Sequence, residues 1–270
     1  MKNILEKIVA KKRAEVSYKK LITPIELFEK NTLSNKNIFS LKDKLNRVDQ
    51  PGIIAEFKRK SPSKGAINMD ASIEKTTMGY IQAGASALSI LTDTSFFGGR
   101  NEDLRIARAI NNCPILRKDF IIDEYQVLET RAIGADVILL IAAILSPEKT
   151  FQLASLAKQI GLEVLLEVHS EKELEHACEF IDMVGVNNRN LKDFTVSIER
   201  SLKLFDLIPS QFIKISESGI DTPEKLLMLK HKGFQGFLIG EGFMSAKQPE
   251  KVCADFIQKV LFNATHLQKI

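Results

Sequence analysis

Residues 137–168 read VILLIAAILSPEKTFQLASLAKQIGLEVLLEV. The stretch opens on an apolar run, Val137–Ile141, and closes on a second, Val164–Val168, while Pro147–Ile160 between them has helical periodicity. Ser146-Pro147-Glu148 supplies the helix start: a capping hydroxyl, then proline at the first helical position, then an acid in the first turn. Strand, helix and strand in that order imply two parallel strands joined by a crossover helix. The longest apolar run, Val137 to Leu145, is far short of the ~20 residues needed to span a bilayer.

The same alternation extends in both directions. Short β-branched or apolar runs fall at Ile53–Phe57, Ala87–Leu91, Ile115–Leu116, Met183–Val186, Phe212–Ile215 and Phe237–Ile239, which with the two above makes eight. Helical candidates fill the intervals: Ser72–Ala83, Glu102–Ile110, Asp123–Ile133, Glu171–Phe180, Ser197–Asp206, Pro223–His231 and Pro249–Phe262, again eight with the one already named. Thr222-Pro223-Glu224 repeats the hydroxyl, proline and acid start signal. Eight strand-helix units predict an α/β fold of the (β/α)8 TIM barrel type, whose usual size of about 250 residues suits a chain of 270. A doubly wound sheet would need fewer strands or a second domain, and no Gly/Ser/Pro-rich linker divides the chain.

Residues 1–50 precede the first strand and read as an N-terminal helical extension packed on the barrel, with Ile4, Leu5, Ile8 and Val9 at helical spacing and Pro24 as a breaker. Residues 51–270 form the barrel, expected to be a single catalytic domain. The extension either caps one end of the barrel or packs peripherally, and the sequence leaves both open.

Composition narrows the function. The chain is 44% hydrophobic and 27% charged, with 38 Lys plus Arg against 34 Asp plus Glu and a net charge of +4, the profile of a globular enzyme-sized protein. No basic block with interleaved aromatics marks a nucleic-acid track, and the densest cationic run, Lys11-Lys12-Arg13, reads as a solvated helix face. No nucleic-acid or membrane partner is expected, and a monomer or weak homo-oligomer is. Cys113, Cys178 and Cys253 are odd in number and far apart, as reduced thiols in a cytoplasm would be. Lys2, Glu6, Lys7, Lys11 and Lys12 interrupt any signal-peptide core, so a cytoplasmic location is expected. The four histidines form no H-x-x-x-H or Cys/His cluster, and no metal is expected.

In a barrel strand alternate residues face the interior. In Ile53-Ile54-Ala55-Glu56-Phe57-Lys58 the odd positions are all apolar, so Ile54, Glu56 and Lys58 should point inward. The same parity sends Val164, Leu166 and Val168 to the helices and Glu167 to the mouth of the fifth strand. Lys118 ends the third strand on the face of Leu116, Asn187 and Arg189 share a face at the sixth, and Glu217 follows Ile215 at the seventh. One charged strand end is ordinary solvated loop. Glu56, Lys58, Lys118, Glu167, Arg189 and Glu217 together are a convergence of acids and bases on the face where barrel enzymes keep their active sites.

Two loops suit a phosphate. Ser216-Glu217-Ser218-Gly219-Ile220 and Leu238-Ile239-Gly240-Glu241-Gly242 close the last two strands and can present backbone N–H groups, and Ser61-Pro62-Ser63-Lys64-Gly65 can add a hydroxyl and a cation. Turns also need glycine for their own geometry, so it is the pair of loops that argues for a phosphorylated small-molecule substrate.

The run IIAEFKRKSPSKG, followed in order by LTDTSFFGG, ILRKDFIIDEYQV, ADVILLIAAIL, LLEVHSEKEL, VGVNNRNL, ISESGI and FLIGEGFM, resembles the indole-3-glycerol phosphate synthase family over essentially the whole chain. The resemblance implies conversion of 1-(2-carboxyphenylamino)-1-deoxyribulose 5-phosphate to indole-3-glycerol phosphate, with loss of CO2 and water, in tryptophan biosynthesis. It implies a carbon-carbon lyase with no metal or organic cofactor. Matched residue by residue, it assigns Lys118 as general acid in ring closure and Glu167, Glu56 and Lys58 to the later proton transfers. Asn187 and Arg189, with Lys58, would position the anilino carboxylate and the catalytic carboxylates, and Glu217 and Ser218 would complete the surroundings. Ser61, Lys58, Gly219, Gly240 and Glu241 would hold the phosphate, the last two through backbone N–H. Phe120, Leu139 and Leu191 are apolar walls for the aromatic ring or ordinary core residues.

Glu241 departs from members that have Ser there, and an acid beside a phosphate requires its side chain to turn away. Two alternatives fit less well. Phosphoribosylanthranilate isomerase would want a Cys base where the first strand ends in Glu56-Phe57-Lys58, and a non-catalytic barrel would be expected to lose the charged mouth that this chain keeps.

Overall fold

A computed structural model describes residues 4–28, 38–47, 49–190 and 193–267. Its centre is a closed barrel of eight parallel strands: β1 (Ile53–Phe57), β2 (Ala87–Leu91), β3 (Ile115–Lys118), β4 (Val137–Ile141), β5 (Glu163–Val168), β6 (Met183–Asn187), β7 (Ile213–Glu217) and β8 (Gly236–Ile239). β1 pairs with β8 to close the ring, Ile53 opposite Phe237, as the predicted TIM barrel requires. Lys60–Ser61 and Gly65–Ala66 add a short antiparallel hairpin after β1.

Side-chain alternation along the strands sorts the apolar residues into two layers. Ile54, Ala87, Leu116, Val137, Leu139, Leu165, Met183, Ile213, Ile215 and Leu238 fill the barrel interior. Ile53, Ala55, Phe57, Leu88, Ile90, Val164, Leu166 and Val168 pack outward against the helices. Each fully buried Leu, Ile or Phe contributes roughly 1.5–3 kcal/mol of transfer free energy, so a one-residue slip of any strand would exchange its two faces at great cost. The parity read from the sequence therefore sets which side chains reach the cavity.

The outer helices include α3 (Ile73–Gln82), α5 (Asn101–Ile110), α6 (Glu124–Ala132), α7 (Pro147–Gln159), α9 (Pro223–Lys232) and α11 (Pro249–Leu267), with shorter α4 (Thr94–Phe97), α8 (Glu199–Leu204) and α10 (Glu241–Met244). Both predicted start signals form: Ser146 Oγ accepts the Lys149 amide at 3.2 Å and Thr222 Oγ1 the Lys225 amide at 3.4 Å. The crossover after β5 differs from expectation, being a 3-10 segment, Glu171–His176, rather than a helix to Phe180. Ser170 makes no side-chain cap bond, and the Glu173 carboxylate turns back to accept the His169 amide at 2.7 Å. No helix among the described residues is long and apolar enough to cross a membrane.

The residues before β1 serve both ends of the barrel. In α2 (Leu41–Leu45), Leu41 and Leu45 join the interior cluster at the strand starts, where Ser40 Oγ and the Leu41 and Lys42 amides donate to the Glu163 carboxylate at 2.5, 2.8 and 3.1 Å. Helix α1 (Ile4–Ile22) lies over the opposite end, with Ile4, Leu5 and Ile8 against the cavity there.

The expected solvated face Lys11-Lys12-Arg13 fails at its middle residue. Lys12 is 1% exposed, and its ammonium sits 2.9 Å from Asp93, 2.9 Å from Asp119 and 3.0 Å from Glu15. Burial lowers its pKa, but those three carboxylates outweigh burial and hold it above the usual ammonium range. Asp119 also takes Arg117, a fully buried side chain on the outer face of β3 that reaches Glu129 at 2.5 Å. Lys12 thus fastens α1 to the segments that follow β2 and β3.

Candidate active site

Several catalytic candidates are the last residues of their strands. Lys118 and Glu217 end β3 and β7, Asn187 ends β6, and Glu56 and Glu167 stand one residue from the ends of β1 and β5. β3 and β7 run two residues past the predicted Leu116 and Ile215, which carries Lys118 and Glu217 onto the sheet and gives both side chains a rigid base. All five line one cavity of about 410 Å³ together with Lys58, Arg189, Ser61, Ser218, Gly219, Gly240 and Glu241. Phe120 and Leu139 line its apolar side, where the Phe120 ring lies 5.8 Å from that of Phe97. Leu191 lies outside the described residues.

Lys118 is the centre of charge. Its Nζ is 2.6 Å from Glu167 Oε2 and 3.4 Å from Glu217 Oε2. Burial pushes the lysine pKa down, yet Glu167, Glu217 and Glu56 together hold it well above the ordinary range, so it is firmly an ammonium. The two carboxylates part company. Burial raises Glu167, but the charges of Lys118 and His169 and the bonds from Lys118 and Asn187 carry it far below the usual carboxylate range. Burial raises Glu217 as well, and there Lys118 is too weakly engaged to offset burial plus repulsion by Glu167 and Glu56, leaving it raised to about 7.

Around this centre, Asn187 Nδ2 donates to Glu167 Oε1 at 3.1 Å and Asn187 Oδ1 accepts the Arg189 amide at 3.0 Å. On the β1 side Lys58 Nζ meets Glu56 Oε1 at 2.6 Å. Arg189 lies beyond β6 and crosses to Glu241 Oε2 at 3.0 Å, while Lys64 approaches Glu241 Oε1 at 3.6 Å. The Glu241 carboxylate therefore does not turn away from the mouth; two cations neutralise it there. Ser218 and Gly219 both have positive φ, 66° and 76°. The unfavourable conformation of Ser218 is braced by Asn188, whose amide donates to the Ser218 carbonyl at 3.0 Å.

Two glycines make room for the acids. A Cβ on Gly185, in the middle of β6, would overlap Glu217 Oε1, and one on Gly240 would overlap Glu56 Oε1. The sequence reading took Gly240 as a phosphate-loop residue and passed over Gly185, though an isolated glycine inside a strand signals a close approach. It also passed over Ile4, Leu5 and Ile8 as cavity residues and Lys12 as their anchor. Helical spacing was visible there, but what the helix covers was not.

This arrangement can bind a phosphorylated anion and move protons between a fixed ammonium and two unlike carboxyls. A family model described as indole-3-glycerol phosphate synthase matches residues 5–256. A relative named indole-3-glycerol phosphate synthase, from Bacteroides thetaiotaomicron, is 48% identical over 260 residues, covering 96% of this chain and 100% of its own. The chain belongs to this family. Another relative of that name, from Dechloromonas aromatica, is 41% identical over 92% of this chain and 97% of its own. Among solved structures, 3-hexulose-6-phosphate synthase from Salmonella typhimurium aligns with a TM-score of 0.62 at 11% identity, over 78% of this chain and 99% of that one. Tryptophan synthase subunit alpha from Legionella pneumophila aligns with a TM-score of 0.60 at 13% identity, over 82% and 95%. At such identities the likeness is one of fold. The resemblance read from IIAEFKRKSPSKG and the motifs after it is thus confirmed by relatives that span nearly the whole chain.

Proposed function

We propose that the Lys118, Glu167 and Glu217 cluster performs the chemistry of the family reaction, with Lys58 and Glu56 facing it across the cavity. The chain is a carboxy-lyase of tryptophan biosynthesis that closes 1-(2-carboxyphenylamino)-1-deoxyribulose 5-phosphate to indole-3-glycerol phosphate. The ring carbon bearing the carboxylate forms a bond to the ketose carbonyl carbon, and the carbonyl electron pair moves to oxygen. The bond to CO2 then breaks and its pair restores aromaticity. Finally the new hydroxyl leaves with a proton as water, while the adjacent carbon gives up a proton to complete the indole double bond.

Lys118 stands at the developing oxyanion. Because its carboxylate neighbours hold its proton tightly, it first stabilises the negative charge and transfers the proton as the oxygen becomes a strongly basic alkoxide. Glu167, kept ionised, is the base; Glu217, half-protonated near neutrality, supplies a proton from the same cluster. Lys58 and Glu56 serve the dehydration, and Asn187 and Arg189 orient the anilino carboxylate. The phosphate sits on Ser61 and the backbone of Gly219, Gly240 and Glu241, with Ser218 alongside and Phe120 and Leu139 against the aromatic ring. Extension and barrel act as one catalytic unit, since α1 forms a wall of the cavity.

The observation that carries this reading is one half-buried ammonium, Lys118, set between two buried carboxylates at 2.6 and 3.4 Å. The isomerase alternative needs a cysteine base, and none of the three cysteines lines the cavity. We further propose a cytoplasmic location, supported by three unpaired thiols, and a monomer or weak homo-oligomer. Purified protein without added metal should form indole-3-glycerol phosphate, followed by indole fluorescence. A folded preparation giving no product would sink the assignment.

A further inference from the structure

His169 follows β5 two residues after Glu167, and no step above uses it. Both of its ring nitrogens are buried and neither has a hydrogen-bond partner, although the side chain is only 11% exposed. The ring nevertheless stands between two carboxylates: Nε2 is 3.5 Å from Glu167 Oε1, and Nδ1 is 3.5 Å from Glu173 Oε2. The ring therefore contacts the base at one nitrogen and is backed by Glu173 at the other.

The shortened crossover makes this placement. Glu173 belongs to the 3-10 segment Glu171–His176, and its Oε2 also accepts the His169 amide at 2.7 Å, which pins the carboxylate against the ring on the side away from the cavity. Glu167 is held on its other flank. Lys118 from β3 donates to Oε2 at 2.6 Å and Asn187 from β6 to Oε1 at 3.1 Å, with the acids Glu217 of β7 and Glu56 of β1 also facing this cluster. When Lys118 turns to the substrate oxygen, Glu167 loses its nearest cation.

We propose that His169, backed by Glu173, is a positioning residue that stands against Glu167 Oε1 and keeps the base oriented while Lys118 serves the substrate. The inference rests on the reading of Glu167 as the base. It concerns a residue that touches the base rather than the substrate, so kcat and KM should separate: an oriented base affects turnover, and the binding surfaces are untouched.

Steady-state kinetics of His169→Gln, Glu173→Gln, their double variant and Glu167→Gln test it. His169→Gln should lower kcat about tenfold with KM within about threefold, and the double variant should be no worse than His169→Gln because the two side chains act as a unit. A folded His169→Gln whose kcat falls less than about threefold overturns the proposal. Should His169→Gln not fold, Glu173→Gln decides: a lowered kcat at unchanged KM supports it and an unchanged kcat overturns it. Turnover kept in Glu167→Gln would sink the base reading and the inference together, whereas turnover lost there but kept in His169→Gln would sink the inference alone.

Discussion

Replacing Gly185 by Ala adds one methyl group to the inner face of β6, directly against Glu217 Oε1 and 3.2 Å from Leu165 Cδ1. Gly185 is paired across the sheet with Glu167 and Ile215, so the strand cannot swing away without breaking ladder bonds on both sides. The carboxylate must yield instead, and to reach an ordinary van der Waals contact it has to retreat by about 1 Å. A displacement of that size in a catalytic group costs on the order of 10²-fold in rate, and overpacking a tight interior costs about 1–3 kcal/mol of stability. We expect Gly185→Ala to lower kcat/KM about 100-fold in the indole fluorescence assay while urea denaturation gives a loss within that range. Gly236→Ala is the control, since a Cβ there would crowd Ile215 and Leu45 at the barrel floor, far from the acids. It should cost similar stability and leave kcat within about threefold. A folded Gly185→Ala with kcat/KM within about threefold of the unaltered protein would refute the claim that Gly185 reserves space for Glu217.

Lys118→Met should abolish turnover while leaving substrate affinity within about tenfold, or about 1.4 kcal/mol, by fluorescence titration; near-normal turnover would remove it from ring closure. Lys12→Met leaves Asp93 and Asp119 buried without their shared cation, so urea denaturation should show a loss of about 3–5 kcal/mol, and a loss under about 1 kcal/mol would mean the network carries little. Glu217 is raised in the folded state to about 7, so folding takes up a proton there. Its contribution to stability is complete below the ordinary carboxylate range and is lost as pH rises through about 7, so Glu217→Gln should remove that part of the decline, as read by denaturation at a series of pH values. The same proton loss predicts a fall in kcat above about pH 7 that Glu217→Gln no longer shows; an unchanged profile in the variant would reassign the titration.

Much of the site was legible because a strand's period of two is insensitive to context. With Ile53, Ala55 and Phe57 facing outward, Glu56 has to face inward, and the same reasoning places Lys118, Glu167 and Glu217. The helix after β5 was misread because the pattern of Glu171–Phe180 satisfies helical spacing, while the outcome turned on where one carboxylate, Glu173, found its donor. Lys12 was misread for a related reason. On a helix taken alone it is one more cation, and only the approach of Asp93 and Asp119 from two other segments makes burial tolerable.

Periodicity, start signals and ordered motifs were enough for the eight-stranded barrel, the inward parity of its acids and lysines, and the family. These are local properties, repeated along the chain and written into neighbouring residues. The pKa separation of Glu167 and Glu217, the room reserved by Gly185 and Gly240, the crossing of Arg189 to Glu241 and the helix that Lys12 ties over the mouth came only from the folded molecule. Each depends on distances between residues far apart in the chain, and electrostatic and steric energies change steeply over an ångström.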